Sequence, residues 1–202
     1  VAIKARPGEQ YTLRRKLLKL FGGAFHIYDA QGNVAAYCAM KAFKLKEDLR
    51  VYTAEDRAQE LFRIGARSII DFGSTYDVSL PSGEKLGSLR RKGMKSSFLR
   101  DEWAVLDHEE REIATLAERG STFGLMLRRY GPFGELAYLI SPQRFDLVRS
   151  SDQERIASLR QHANPIIYRL GISIEADDQQ LDELMVLAAA CVIGAIEGRQ
   201  SS

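Results

Sequence analysis

The sequence predicts a mainly β chain, a sandwich or barrel with an apolar helix at its C-terminal end. Three observations predict it. Short stretches of alternating apolar and polar residues recur along the chain, bounded by turn residues. They group into about six strand–turn–strand units, spaced by roughly 20–27 residues, which implies about a dozen strands. The pattern then breaks: residues 184–196 form a run of 13 apolar or glycine residues.

The clearest unit is 25–37, where alternating apolar residues flank a Gly32–Asn33 turn. The next clear one, 76–89, turns at Pro81–Ser82–Gly83, so the two units align on Gly32 and Gly83. Four more follow the plan. Strand 49–52 turns at Glu55–Asp56 into 60–64, and 103–106 turns at His108–Glu109–Glu110 into 112–116. Strand 125–130 turns at Gly131–Pro132 into 135–138, and 145–148 turns at Ser151–Asp152 into 155–159. A last strand is expected near 166–174. No Pro/Gly/Ser linker divides the chain, so residues 1–202 read as one domain with internal pseudo-repeats.

The helix is expected over 177–198, capped by Asp177 or Asp178, with acids in its first turn where the dipole favours them. Its 13-residue apolar run spans about 20 Å, short of the ~30 Å hydrocarbon core of a bilayer. A membrane anchor is therefore the weaker reading, and no transmembrane span is expected. A helix apolar all round must be buried on every side. In a β chain the economical burial is inside a closed barrel. Ala188, Ala189, Ala190, Gly194 and Ala195 would let the walls approach.

Apolar residues make up 45% and charged residues 28% of the chain, an ordinary globular composition, and the net charge of +2 excludes a polycation. The charges are blocked, however. Residues 1–50 carry 10 Lys/Arg against 4 acids, and 84–100 carry 6 against 1. Residues 101–119 carry 2 against 7. Such blocks either present a one-sided basic face to an anionic partner or are solvated strand faces. Cys38 and Cys191 lie in apolar contexts and read as buried free thiols of a reducing compartment. No signal peptide is read at the N-terminal end.

No catalytic constellation is found. His26, His108 and His162 match no metal or catalytic spacing, and GxSxG, P-loop, GxGxxG and EF-hand patterns are absent. No cofactor or metal is expected. The basic clusters are the functional lead: Arg90, Arg91, Lys92 and Lys95, assisted by Lys41, Lys44 and Lys46, which interleave with Phe43 and Leu45. Arg14, Arg15, Lys16 and Lys19 sit beside leucines. Basic residues next to apolar ones suit an anionic membrane surface; the same residues could grip nucleic-acid phosphates. Sparse aromatic partners near Arg90–Lys95 favour lipid or protein over single strands.

The segments 11–17, 25–34, 41–52, 64–71, 76–78 and 83–87 together resemble the LURP-one-related family, grouped with phospholipid scramblases and the tubby C-terminal domain. The resemblance covers most of the chain. It implies a closed antiparallel barrel of 12 strands around a central hydrophobic C-terminal helix. Tubby domains bind phosphoinositides through basic barrel residues. Scramblases carry a Cys-rich segment and a Pro-rich tail, both missing here, so lipid transport is not expected. The expected function is thus a non-enzymatic module, cytoplasmic or peripheral at a membrane, that binds anionic phospholipid or phosphoinositide headgroups. A protein-interaction scaffold and nucleic-acid binding are the alternatives. On this reading, charge reversal at Arg91 and Lys92 abolishes vesicle binding without lowering the melting temperature.

Overall fold

In the computed structural model the described residues are 6–16, 23–40, 49–67, 75–92, 101–120, 124, 141–164, 167–175 and 181–197. They form twelve strands and one helix. The strands are β1 (Tyr11–Lys16), β2 (Gly23–Asp29), β3 (Val34–Met40), β4 (Leu49–Tyr52), β5 (Glu60–Ala66) and β6 (Thr75–Ser79). β7 (Lys85–Arg91), β8 (Glu102–Leu106), β9 (Glu112–Arg119), β10 (Arg144–Arg149), β11 (Arg155–His162) and β12 (Ile167–Ile174) complete them. The helix α1 spans Glu183–Glu197. Each strand pairs antiparallel with its sequence neighbours, and β12 pairs with β1 to close a barrel.

Five hairpins share one local design. In β2–β3, β4–β5, β6–β7, β8–β9 and β10–β11 the register slips next to the turn, at Ile27/Tyr28, Val51/Tyr52, Val78/Ser79, Val105/Leu106 and Leu147/Val148. Such bulges add twist and bend the strand, which a closed sheet requires. Each turn holds a residue at positive φ: Gly32, Arg57, Gly83, Glu110 and Gln153. The pseudo-repeat read from Gly32 and Gly83 therefore extends to turns where no glycine marks it. The expected unit over 125–138 lies outside the described residues. The two arms that close the barrel, β1 and β12, belong to no hairpin with each other.

One side of the wall faces in. Leu13, Phe25, Ile27, Phe62, Ile64, Trp103, Leu116, Phe145, Leu147 and Leu170 are buried there with the helix. From Met185 to Ala195 every helix residue is buried, which an exposed or one-sided helix would not allow. Gly194 faces Leu13 and Phe25, whose carbons lie 3.3 Å from where its Cβ would stand. Gly87 on β7 makes room for Met185.

The helix begins later than the sequence suggests. Asp182 is its cap, accepting from the backbone N–H of Leu184 at 2.8 Å, and residues 177 and 178 lie outside the described residues. The shift has a local cause: Asp182 stands two residues before the apolar run, so its carboxylate meets the N–H of Leu184 in the first turn. Among the described residues no helix is long and apolar enough to cross a membrane.

Two contacts fix the direction of α1. Tyr11, at the start of β1, faces Glu183 at the helix N-terminus, and the carboxylate pushes the phenol pKa up to about 12. Arg15, two inward positions further on, donates to the carbonyl of Gly194 at 3.2 Å near the helix C-terminus. So α1 runs alongside β1 in the same sense. Arg15 is 3% exposed, and its guanidinium lies 5.6 Å from the Phe25 ring. Burial lowers its pKa, opposed by Tyr168. The last helical turn has no basic residue of its own, so the wall supplies the cation that the dipole favours there.

The candidate anion-binding surface

An up-and-down barrel has two rims. The five hairpin turns lie at the rim of Tyr11 and the helix N-terminus. β1, β3 and β7 all end at the opposite rim, with Lys16, Met40 and Arg91, and β4 and β8 start from it. The described strand ends that flank three basic clusters distant in sequence thus share one end of the barrel. Lys41, Lys44, Lys46 and Lys95 themselves lie outside the described residues.

The described part of the lead cluster is divided by strand alternation. Arg90 is exposed on the outer wall, opposite Thr75 and Ala104, with no carboxylate bonded to it among the described residues. Arg91 stands on the inner side, opposite Trp103, with its guanidinium 5.8 Å from that ring. Its Nη2 donates to Asp101 Oδ1 at 2.5 Å. Lys92 pairs with Glu112 at 2.7 Å and Glu102 at 3.1 Å, and its Nζ donates to the Thr115 hydroxyl at 3.2 Å. Burial disfavours its charge, but the two carboxylates win and hold its pKa above the ordinary value. Lys85, Arg91 and Lys92 of the basic block are therefore neutralised by acids of the block 101–119, because β7, β8 and β9 lie side by side.

The same neutralisation recurs over the wall of β4 to β9. Arg50 and Arg63 share Glu60. Arg67 grips Asp77 through Nε at 2.7 Å and Nη2 at 2.6 Å, and both Arg67 and Lys85 bond Glu110. Those two cations hold the Glu110 carboxyl down to about 2. Arg111 pairs with Asp107 and Glu109. Beyond this stretch the turn-side ends of β10 and β11 are neutralised too, Arg149 by Asp152 and Glu154 and Arg155 by Glu175.

The end of the β9 to β1 wall away from the hairpin turns differs. Arg144 on β10 lies directly opposite Arg119 on β9 and Arg160 on β11. Arg169 on β12 lies directly opposite Arg14 on β1, flanked by His162 and His26. Like charges facing across strands cost roughly 0.2–1 kcal/mol per pair. Arg119 is relieved by Asp146 at 3.1 Å. Arg144 and Arg160 are exposed and bond no acid among the described residues. The Nε–H groups of the half-buried Arg14 and Arg169 meet no acceptor there either. Glu9, the carboxylate nearest this row, rests on Gly171 and bonds His162 at 2.7 Å.

Sequence reasoning missed Arg144, Arg160 and Arg169. A signal for the first two was present: in a hairpin turning at Ser151–Asp152, residues 144 and 160 are the pair that follows Phe145 and Leu159. The facing of Arg14 and Arg169 depends on barrel closure and has no local signal.

A closed twelve-stranded antiparallel barrel threaded by an apolar C-terminal helix defines the class. Residues 34–194 match the LURP-one-related family, and the chain belongs to that family. In fold it is similar to a protein from Arabidopsis thaliana of known X-ray structure, with a TM-score of 0.50 and 10% identity, covering 98% of this chain and 99% of that one. At that identity the likeness speaks for the fold alone. No curated protein matches the chain.

Proposed function

We propose that the chain is a non-enzymatic, tubby-like module that binds anionic phospholipid or phosphoinositide headgroups at a basic barrel surface, working as a peripheral protein at the cytoplasmic face of a membrane. What supports the reading is the convergence of strand ends: the flanks of the lysine-bearing segments 41–48 and 93–100, and the end of β1, share one rim. Lys41, Lys44, Lys46 and Lys95 supply the attraction in this reading, with Arg90 beside them on the wall. Each Lys or Arg near an anionic bilayer contributes about 1 kcal/mol, so a handful suffices for reversible binding. Arg91 and Lys92 stand near the same rim, on opposite sides of the sheet, and each is held by carboxylates first.

The test is vesicle co-sedimentation at low and physiological salt, comparing neutral with phosphatidylserine vesicles. The expected result is binding to anionic vesicles alone, weakened by salt and by the triple variant K41E/K44E/K46E. Equal binding to neutral vesicles, or none to any, would turn the reading toward a protein-interaction scaffold.

A further inference from the structure

We propose that residues 6–10 are a pH-released strap: Glu9, latched to His162, holds them against the outer wall of β11 and β12, and a proton taken up by His162 lets them go. Such a device is independent of the membrane reading, because its moving part is a segment of this chain.

The strap is fastened at few points. Arg6, Pro7, Gly8 and Gln10 are exposed. Pro7 and Gly8, with Gly8 at a φ of 86°, make a tight turn closed by the Glu9 N–H on the Arg6 carbonyl at 2.9 Å. The Glu9 side chain leaves this turn and lies on the sheet, where it is 8% exposed. Its Oε1 bonds His162 Nε2 at 2.7 Å, and its Oε2 accepts from the Arg6 N–H at 3.0 Å. Gly171 is the floor beneath it: a Cβ there would overlap the carboxylate. Gln10 is the second anchor. Its side-chain amide accepts from the Ile174 N–H at 2.8 Å and donates to the Ile174 carbonyl at 3.1 Å. Amide bonds do not respond to pH, whereas the Glu9–His162 contact does. An exposed segment with so few buried contacts can open locally while the barrel stays folded.

The surroundings of His162 decide what a proton does there. Arg160 stands two residues earlier on β11, on the same face. Arg169 on β12 lies directly opposite, with Arg14 of β1 opposite it in turn. Arg144 on β10 stands beyond Arg160, and Arg6 acts through space from the strap. Against these, Glu9 is the carboxylate bonded to His162 among the described residues. A charged imidazole would thus be buried in a field of guanidiniums. Burial pulls the His162 pKa below the ordinary 6.5, Glu9 opposes, and Arg6 and Arg160 add to the fall. On release the ring returns to water and toward its ordinary value. Docking is therefore fully favoured above 6.5 and weakens as pH falls through the docked value.

The experiment follows hydrogen exchange at about pH 7.5 and about pH 5, corrected for the intrinsic pH dependence of exchange. The Gln10 N–H, bonded to the Ile172 carbonyl at 2.9 Å, and the Ile174 N–H report the strap, and the amides of α1 report the core. In wild type, strap protection should fall by at most about tenfold per pH unit below 6.5, with α1 unchanged. H162Q keeps an N–H donor for Glu9 but takes up no proton, so its strap should stay protected at both pH values. G171A leaves both latch residues in place but lifts Glu9 off the sheet, so protection should be lost at both. Equal strap protection at the two pH values in wild type overturns the switch. A loss that persists in H162Q assigns the response to another group and overturns it too. A loss shared by α1 is global unfolding and does the same. Protection kept by G171A overturns the latch geometry. The His162 ring titration, read by NMR in wild type, needs no variant: a pKa below 6.5 is expected, and one at or above it overturns the release.

Discussion

Charge reversal at Arg91 should destabilise the barrel as well as remove a surface cation. Arg91 Nη2 meets Asp101 Oδ1 at 2.5 Å, with the side chains 32% and 10% exposed. Breaking a fully buried pair by removing one partner costs about 3–5 kcal/mol, because the other charge is stranded. Arg91 keeps a third of its side chain in water, so Arg91→Met should cost about 2 kcal/mol, including its packing over Trp103. Arg91→Glu adds a second carboxylate beside Asp101 and should reach about 3 kcal/mol. In a domain of this size each kcal/mol lowers Tm by about 2–4 °C, so the reversal should lower it by about 6–12 °C. Trp103 is the single tryptophan and is buried, so its fluorescence reports the transition directly, with calorimetry as the second probe. Arg90→Glu, at an exposed residue that acts on Glu112 only through space and bonds no carboxylate among the described residues, should cost about 1 kcal/mol or less. A melting temperature of Arg91→Glu within about 1 °C of wild type would refute the pairing. The geometry thus corrects the expectation that this residue can be reversed silently, and a binding loss in that variant must be separated from loss of fold.

Other expectations follow from the same contacts. Gly87→Ala should destabilise by about 2–3 kcal/mol in urea unfolding, since the new Cβ would stand 2.3 Å from the backbone oxygen of Leu106, which cannot swing away; a neutral substitution would show that β7 and β8 are not in this register. Cys38 and Cys191 should resist thiol reagents in the native protein, because burial pushes the Cys38 thiol up to about 12 and raises Cys191 as well. Their labelling rate should follow global unfolding, and labelling within the mixing time would contradict a buried helix. Glu110 is held near 2 by Arg67 and Lys85 against an ordinary 4.5, so its contribution is present above pH 4.5 and lost as pH falls through about 2. At 40% side-chain exposure solvent screens the network, so Glu110→Gln should remove at most about 1 kcal/mol at neutral pH and flatten that acid limb in urea titrations.

The hairpins were legible because their information is local. Alternation gives the strand, and Gly32 and Gly83 give a turn that needs positive φ. Arg57, Glu110 and Gln153 adopt the same backbone sign without glycine, so those turns were read only from polar composition and spacing. The helix was legible as an object and as a burial problem: a run apolar on every face needs an enclosure, and a barrel of short strands supplies one. Its start was not, because several acids precede the run and only packing decides which one caps it. The need for a closed barrel followed from the same burial problem, but the pairing that closes it was not legible: β1 meets β12 across more than 150 residues of chain, and no local signal marks the partners.

The charge blocks show where local reading stops. A run such as Arg90-Arg91-Lys92 looks like one patch, but a strand sends its members to opposite sides of the sheet, and antiparallel neighbours then decide which of them stay charged toward solvent. Here the neighbours are the acidic strands β8 and β9, so the strongest cluster in sequence becomes a bonded seam of the wall. Arg144 and Arg160 are unremarkable in sequence, each one cation beside an apolar residue. Pairing brings them face to face, with no acid bonded to either among the described residues. A basic surface is therefore a property of the pairing, and the cations that can meet a partner are those the register fails to neutralise. By that criterion the face to mutate first is the arginine row of β10 to β1, and Arg90 is the member of the lead cluster to carry alongside it.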